Sequence, residues 1–166
     1  QFTLAVVPDT QNYLDFNNQR ASGYPFDAAE IFYEQMAYIA RNLQSAGGKI
    51  AFVTHVGDVW QHPTDGMDPA HRDLGLQSDP DSPAVRAMAP DERTRSVEMA
   101  AARRGFGLID GKVPFSVVPG NHDVPLYRVW ERLLAPFGAW RRHFDRELEP
   151  VFRDDELLVV GVNTAQ

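Results

Sequence analysis

The sequence predicts an α/β domain built on a mostly parallel sheet flanked by helices. Short apolar, β-branched runs recur at 2–7, 49–58 and 113–120, helical patterns lie between them, and turn residues close each run. Parallel neighbours need long crossovers, which the alternation of strands and helices supplies. "FTLAVV" (2–7) is stopped by Pro8 and reads as a buried strand whose carboxyl end meets Asp9. "DAAEIFYEQMAYIARNLQS" (27–45) spaces Ile31, Phe32, Met36, Ile39 and Leu43 as one helical face, opens on Asp27 as a cap and ends at Gly47 and Gly48. It is the crossover helix to a second strand, "KIAFVTHVGD" (49–58). A helical segment over about 91–109 precedes the third strand, "VPFSVVPG" (113–120), and "ELLVVGVN" (156–163) predicts a fourth.

Two stretches depart from this alternation. Residues 61–90 are rich in Pro, Asp and Gly without a sustained period, and a loop of that length after a strand end points to a functional or mobile segment. Residues 126–148 place Leu126, Trp130, Leu133, Phe137, Trp140, Phe144 and Leu148 at helical spacing, interrupted by Pro136. They predict two short helices or one kinked helix, with the apolar side on the core. Arg128, Arg132, Arg141, Arg142 and Arg146 then form a solvated basic side, the alternative being a surface for a partner or for lipid phosphates.

Composition bounds the function. A chain of 166 residues, 43% hydrophobic, suffices for one core and predicts a single domain over 1–166. A net charge of -7 argues against a nucleic-acid or anionic-membrane surface that works by bulk charge, so an anionic substrate needs a local positive site. With no cysteine there are no disulfides, thiolate ligands or cysteine nucleophiles, and metal ligands must come from His, Asp, Asn or Gln. No apolar run approaches the roughly 18–20 residues of a membrane span. The start on "FTLAVVPD" without a Met suggests trimming or removal of a signal peptide, which leaves secreted, periplasmic and cytoplasmic locations open.

Three strands end in polar clusters: Asp9-Thr10-Gln11, Gly57-Asp58 and Gly120-Asn121-His122-Asp123. Ligands of open α/β sheets bind at the carboxyl ends of the strands, so one site can hold all three clusters. Taken singly, Asp9, Asp58 and Asn121 are ordinary turn residues, His122 a loop residue and Asp123 a helix cap. Together they form an oxygen and imidazole donor set without thiolate, suited to Mn, Fe, Zn or Mg.

"PDTQ", "VGDVW" and "PGNHD", in this order at strand ends, resemble the calcineurin-like metallophosphoesterase superfamily, whose motifs run D-x-H, G-D, G-N-H-D/E and then two later His motifs. The resemblance covers most of the chain, and "GNHD" is its specific part. It implies the N-terminal part of an α/β/β/α sandwich, with hydrolysis of phosphate mono- or diesters by a metal-bound hydroxide at a binuclear site. Carried over by position, Asp9 and Gln11 bind the first divalent ion, Asp58 bridges both ions and Asn121 binds the second. His122 then faces the phosphate and protonates the leaving alcohol, with Asp123 orienting it. Mn, Fe and Zn are the ions expected, and the partner is a phosphoester substrate.

The chain departs from the family at two points. Gln11 stands where His is usual, and an amide oxygen is a weaker neutral ligand. The sequence also stops at "VGVNTAQ", which resembles the family's fourth strand, with no later His motifs, so an incomplete domain holding about half of the site is expected. Of the remaining histidines, His62 is the candidate substitute ligand and His55, inside a strand, reads as packing or hydrogen bonding. The rival reading is a catalytically silent fragment or binding module that keeps the fold. A dehalogenase-type phosphotransferase needs a second Asp where Gln11 sits, and no phosphate-binding G-x-x-x-x-G-K-[ST] loop is present.

Overall fold

A computed structural model describes residues 2–20, 23–61, 90–125, 129–143 and 147–165 of the chain. The elements run β1 (Thr3–Val7), α1 (Gln11–Leu14), α2 (Ala28–Arg41), β2 (Ile50–His55), α3 (Pro90–Phe106), β3 (Phe115–Val117), α4 (Val129–Leu134), α5 (Gly138–His143), β4 (Val151–Arg153) and β5 (Leu158–Val160). Strands β1, β2 and β3 form a parallel sheet in that order, with Val7 level with His55 and His55 level with Val117. That register sets the ends of all three strands at one edge. No helix among the described residues is long and apolar enough to cross a membrane.

Side-chain alternation gives the sheet two unlike faces. Val7, Val53 and Val117 point to the side where α2 and α3 pack, and join Phe32, Met36, Met99, Ala102 and Phe106 in the core. Leu4 and Val6 point the other way and stay 43% and 62% exposed. On that second side Phe52 meets Phe152 of β4 at a ring separation of 4.8 Å, and the Ser116 hydroxyl donates to Thr54 at 3.0 Å.

The fourth strand run does not extend the parallel sheet. Leu158–Val160 pairs antiparallel with Val151–Arg153 in a separate two-stranded sheet. The short connection between β4 and β5 accounts for their antiparallel pairing, because a parallel crossover needs a dozen or more residues whereas a tight turn closes only an antiparallel pair. The Asp154 carboxylate makes that turn by accepting from the backbone N–H groups of Glu156 and Leu157 at 2.8 and 2.7 Å.

Asp27 as the cap and two short helices about Pro136 agree with expectation, and the details differ. Asp27 occupies the N-cap of α2, yet its carboxylate accepts from the Arg20 amide; Gln19 Oε1 instead accepts from the Ala29 N–H at 3.2 Å. The 126–148 region is broken into α4 and α5 around Pro136, and only α5 has its apolar residue on the core. Trp140 is fully buried, 5.6 Å from the Trp60 ring, while Trp130 and Leu133 of α4 are exposed. Most of the 61–90 loop, with His62 and His71, lies outside the described residues, as do the side chains of Arg128, Arg142, His143 and Arg146.

Gly105, in the last turn of α3, tests the packing of α3 on α2. A Cβ there would overlap the ring of Phe32, a fully buried residue of α2. In an open helix Gly→Ala gains about 1 kcal/mol, whereas overpacking costs about 1–3 kcal/mol. Gly105→Ala should therefore lower stability in urea unfolding, and a gain would show that Phe32 moves aside freely.

Candidate functional site

The loops after β1, β2 and β3 converge through backbone contacts. The Thr10 N–H donates to the Asp58 carbonyl at 3.1 Å, and the His122 N–H donates to Asp58 Oδ1 at 2.7 Å. Gly57 has φ +105°, and a Cβ on it would lie 2.8 Å from the Gly120 nitrogen, so this crossing requires glycine. A Cβ on Gly120 would in turn overlap the Asp58 carboxylate. Asp58 itself has φ 55°, a left-handed conformation that costs a residue with a Cβ on the order of 1–3 kcal/mol and persists only when its neighbours enforce it.

Those neighbours include Asp123, which is fully buried at the end of a 3-10 turn over Asn121–Asp123. Its oxygens accept from the backbone N–H groups of Gly120 at 2.8 Å, Val59 at 3.0 Å and Trp60 at 3.3 Å. Asp123 therefore clamps the loop after β2 to the loop after β3. Its hydrogen bonds all come from these backbone N–H groups, and none joins it to the neighbouring His122 ring. Burial pushes its pKa up to about 7; the N–H groups of Gly120, Val59 and Trp60 oppose the rise, and the Asp58 charge adds to it.

Asp9 stands at the mouth of the site, with Oδ1 accepting from the Gln11 N–H at 2.8 Å. Its carboxyl is held above the usual range, first by partial burial; the Gln11 N–H opposes this, Asp58 repulsion adds to it, and His122 lowers it. Asp9, Asp58 and His122 thus lie within electrostatic reach of one another. Gln11, at the start of α1, has a buried Oε1 with no hydrogen-bond partner. Asn121 is exposed at the start of its turn. Among the described residues no three His, Asp or Glu side chains converge tightly enough to form a metal cage by themselves.

Two residues that the motifs do not single out join the loops from below. His55 and Thr10 are both fully buried, and Thr10 Oγ1 lies 3.0 Å from His55 Nε2 and 3.0 Å from the Val59 carbonyl oxygen. The Gly57 N–H donates to His55 Nδ1 at 3.1 Å. Burial holds the His55 pKa down to about 3, so the ring is neutral. A signal for His55 existed in the sequence: strand alternation puts it on the same face as Val53, where an imidazole needs polar partners.

Compared with known families, curated proteins and solved structures, the chain matches no family model, no curated protein and no solved structure. The donor set is consequently read on its own chemistry: two carboxylates and an unpartnered amide oxygen, rich in acceptors and poor in donors.

The Asp123 site gives a pH prediction. An exposed carboxyl ionises near 3.8, whereas this one stays neutral up to about 7, so its contribution to stability is full below pH 3.8 and is lost as pH rises through 7. Asp123→Asn is neutral throughout. In urea unfolding of metal-free protein, the deficit of this variant relative to wild type should be smaller at pH 8 than at pH 5, and an equal deficit would mean that Asp123 ionises normally.

Proposed function

We propose that the protein hydrolyses phosphate mono- or diesters with two divalent cations at the carboxyl edge of its parallel sheet. The observation that carries this reading is the surplus of acceptors: Gln11 Oε1 is buried without a donor, and Asp9 and Asp58 repel one another nearby. A buried acceptor without a partner is costly, and a cation is the group that satisfies all three at once. The order of "PDTQ", "VGDVW" and "PGNHD" supports the same reading through its resemblance to the calcineurin-like metallophosphoesterases.

Asp9 and Gln11 would hold the first ion, Asp58 would be shared, and Asn121 would hold the second. Such a pair of ions supplies an acidified water and a clamp on the phosphate oxygens. The chain contributes the rest. The Asp58 carboxylate is fixed by the His122 N–H and by its own left-handed backbone. His122 protonates the leaving oxygen from a loop that Asp123 holds in place. In this reading the exposed side of Leu4 and Val6 is the face on which a second sheet of an α/β/β/α sandwich packs.

A binding module that keeps the fold without catalysis is the second reading, favoured by Gln11, a weaker neutral ligand where the resemblance leads one to expect His. Metal content and turnover separate the two. Wild-type protein equilibrated with Mn should retain two equivalents by elemental analysis and cleave a chromogenic phosphodiester; neither result leaves the binding module. Asp58→Asn should lose metal from both positions, because the shared charge is removed from each. Retention of two equivalents by this variant would show that Asp58 does not bridge. His122→Ala should keep its metal and lose about 10²-fold or more in turnover, the scale of a missing general acid. Metal loss in that variant would make His122 a ligand instead.

A further inference from the structure

We propose that Thr10 and His55 form a buried positioning pair that sets the spacing between the Asp9-Gln11 arm and Asp58, an inference that rests on the metal-site reading of those three residues. The hydrogen-bond roles of the pair follow from counting protons. The Val59 carbonyl can only accept, so the single Thr10 hydroxyl proton goes to it, at 3.0 Å. Thr10 Oγ1 must then accept from His55, which puts the ring proton on Nε2. His55 Nδ1 is left bare, and it accepts from the Gly57 N–H at 3.1 Å. Each polar atom of the network has one role and no alternative.

The connections surround Asp58. His55 binds the residue before it, Gly57; Thr10 Oγ1 binds the residue after it, Val59; and the Thr10 N–H binds the Asp58 carbonyl itself, at 3.1 Å. Thr10 also lies between the two ligands of the other arm, Asp9 and Gln11. Its carbonyl accepts from Tyr13 and Leu14, which anchors the first turn of α1 and with it Gln11. From below, the Phe106 ring of α3 meets the His55 imidazole edge to face at a ring separation of 5.6 Å. The network thus supports both a left-handed Asp58 and its distance from the Asp9-Gln11 arm. Outer partners that orient ligands in this way change metal affinity by about 10- to 100-fold when removed.

Thr10→Val keeps the shape of the side chain and removes both roles of the hydroxyl; Thr10→Ser restores the hydroxyl. Three measurements on the full chain decide. In metal-free protein, amide exchange should accelerate at Thr10, Gly57 and His122 in Thr10→Val but not along α2, whatever the activity of the protein. In titration calorimetry with Mn, Thr10→Val should bind at least about 10-fold more weakly than wild type, and Thr10→Ser should return to within about 2-fold. The ring nitrogen spectrum of wild type should show a neutral His55 with its proton on Nε2. Wild-type Mn affinity in Thr10→Val, failure of Thr10→Ser to restore it, or a proton on Nδ1 would each overturn the proposal. If wild type binds no Mn while the local exchange changes as stated, the metal-site reading fails and the positioning of the loops stands; unchanged exchange overturns the positioning itself.

Discussion

The carboxyl edge of the sheet depends on how closely two backbone segments pass, Gly57 against Gly120. With a Cβ at Gly57 held 2.8 Å from the Gly120 nitrogen, no other residue allows the crossing. Once the segments touch, Asp123 spans both with its two oxygens, and the Asp58 carboxylate reaches the His122 N–H. Two loops far apart in sequence are thereby joined into one surface. The strained backbone of Asp58 is a consequence of this crossing, since the contacts on either side leave it no relaxed alternative.

Beneath that surface three buried polar side chains are matched to their partners. Thr10, His55 and Asp123 are all fully buried, and each meets partners of the right kind: hydroxyl to carbonyl, amide to bare imidazole nitrogen, amides to carboxyl. Such networks specify a unique arrangement because a half-satisfied alternative is costly. Above it the balance changes. Asp9 and Asp58 repel one another, and Gln11 Oε1 is buried without a hydrogen-bond partner.

The sheet divides its labour by face. Toward α2 and α3 it presents Val7, Val53 and Val117 together with His55, so the hydrophobic core and the base of the site are continuous, joined at Phe106. Toward the other side it carries Phe52, against the β4–β5 hairpin, and the exposed Leu4 and Val6. Displacement of the hairpin would therefore disturb Phe52 and the back of β2 before it reached the loops at the carboxyl edge.

Local pattern in the sequence determined the three parallel strands, the helices between them, and the placing of Asp9, Gln11, Asp58, Asn121 and His122 at strand ends, because side-chain periodicity and turn chemistry act over a few residues; the strand order came from the tertiary structure. Tertiary structure alone decided what each polar group meets. Asp123 faces the amides of Val59 and Trp60 rather than the neighbouring imidazole, Gln19 rather than Asp27 serves the start of α2, and His55 meets a hydroxyl 45 residues away. It likewise decided that α4 leaves Trp130 in solvent while α5 buries Trp140, although both lie on one helical pattern. A hydrogen bond between distant segments depends on angles and distances of a few tenths of an ångström, and these are set only when the whole chain packs.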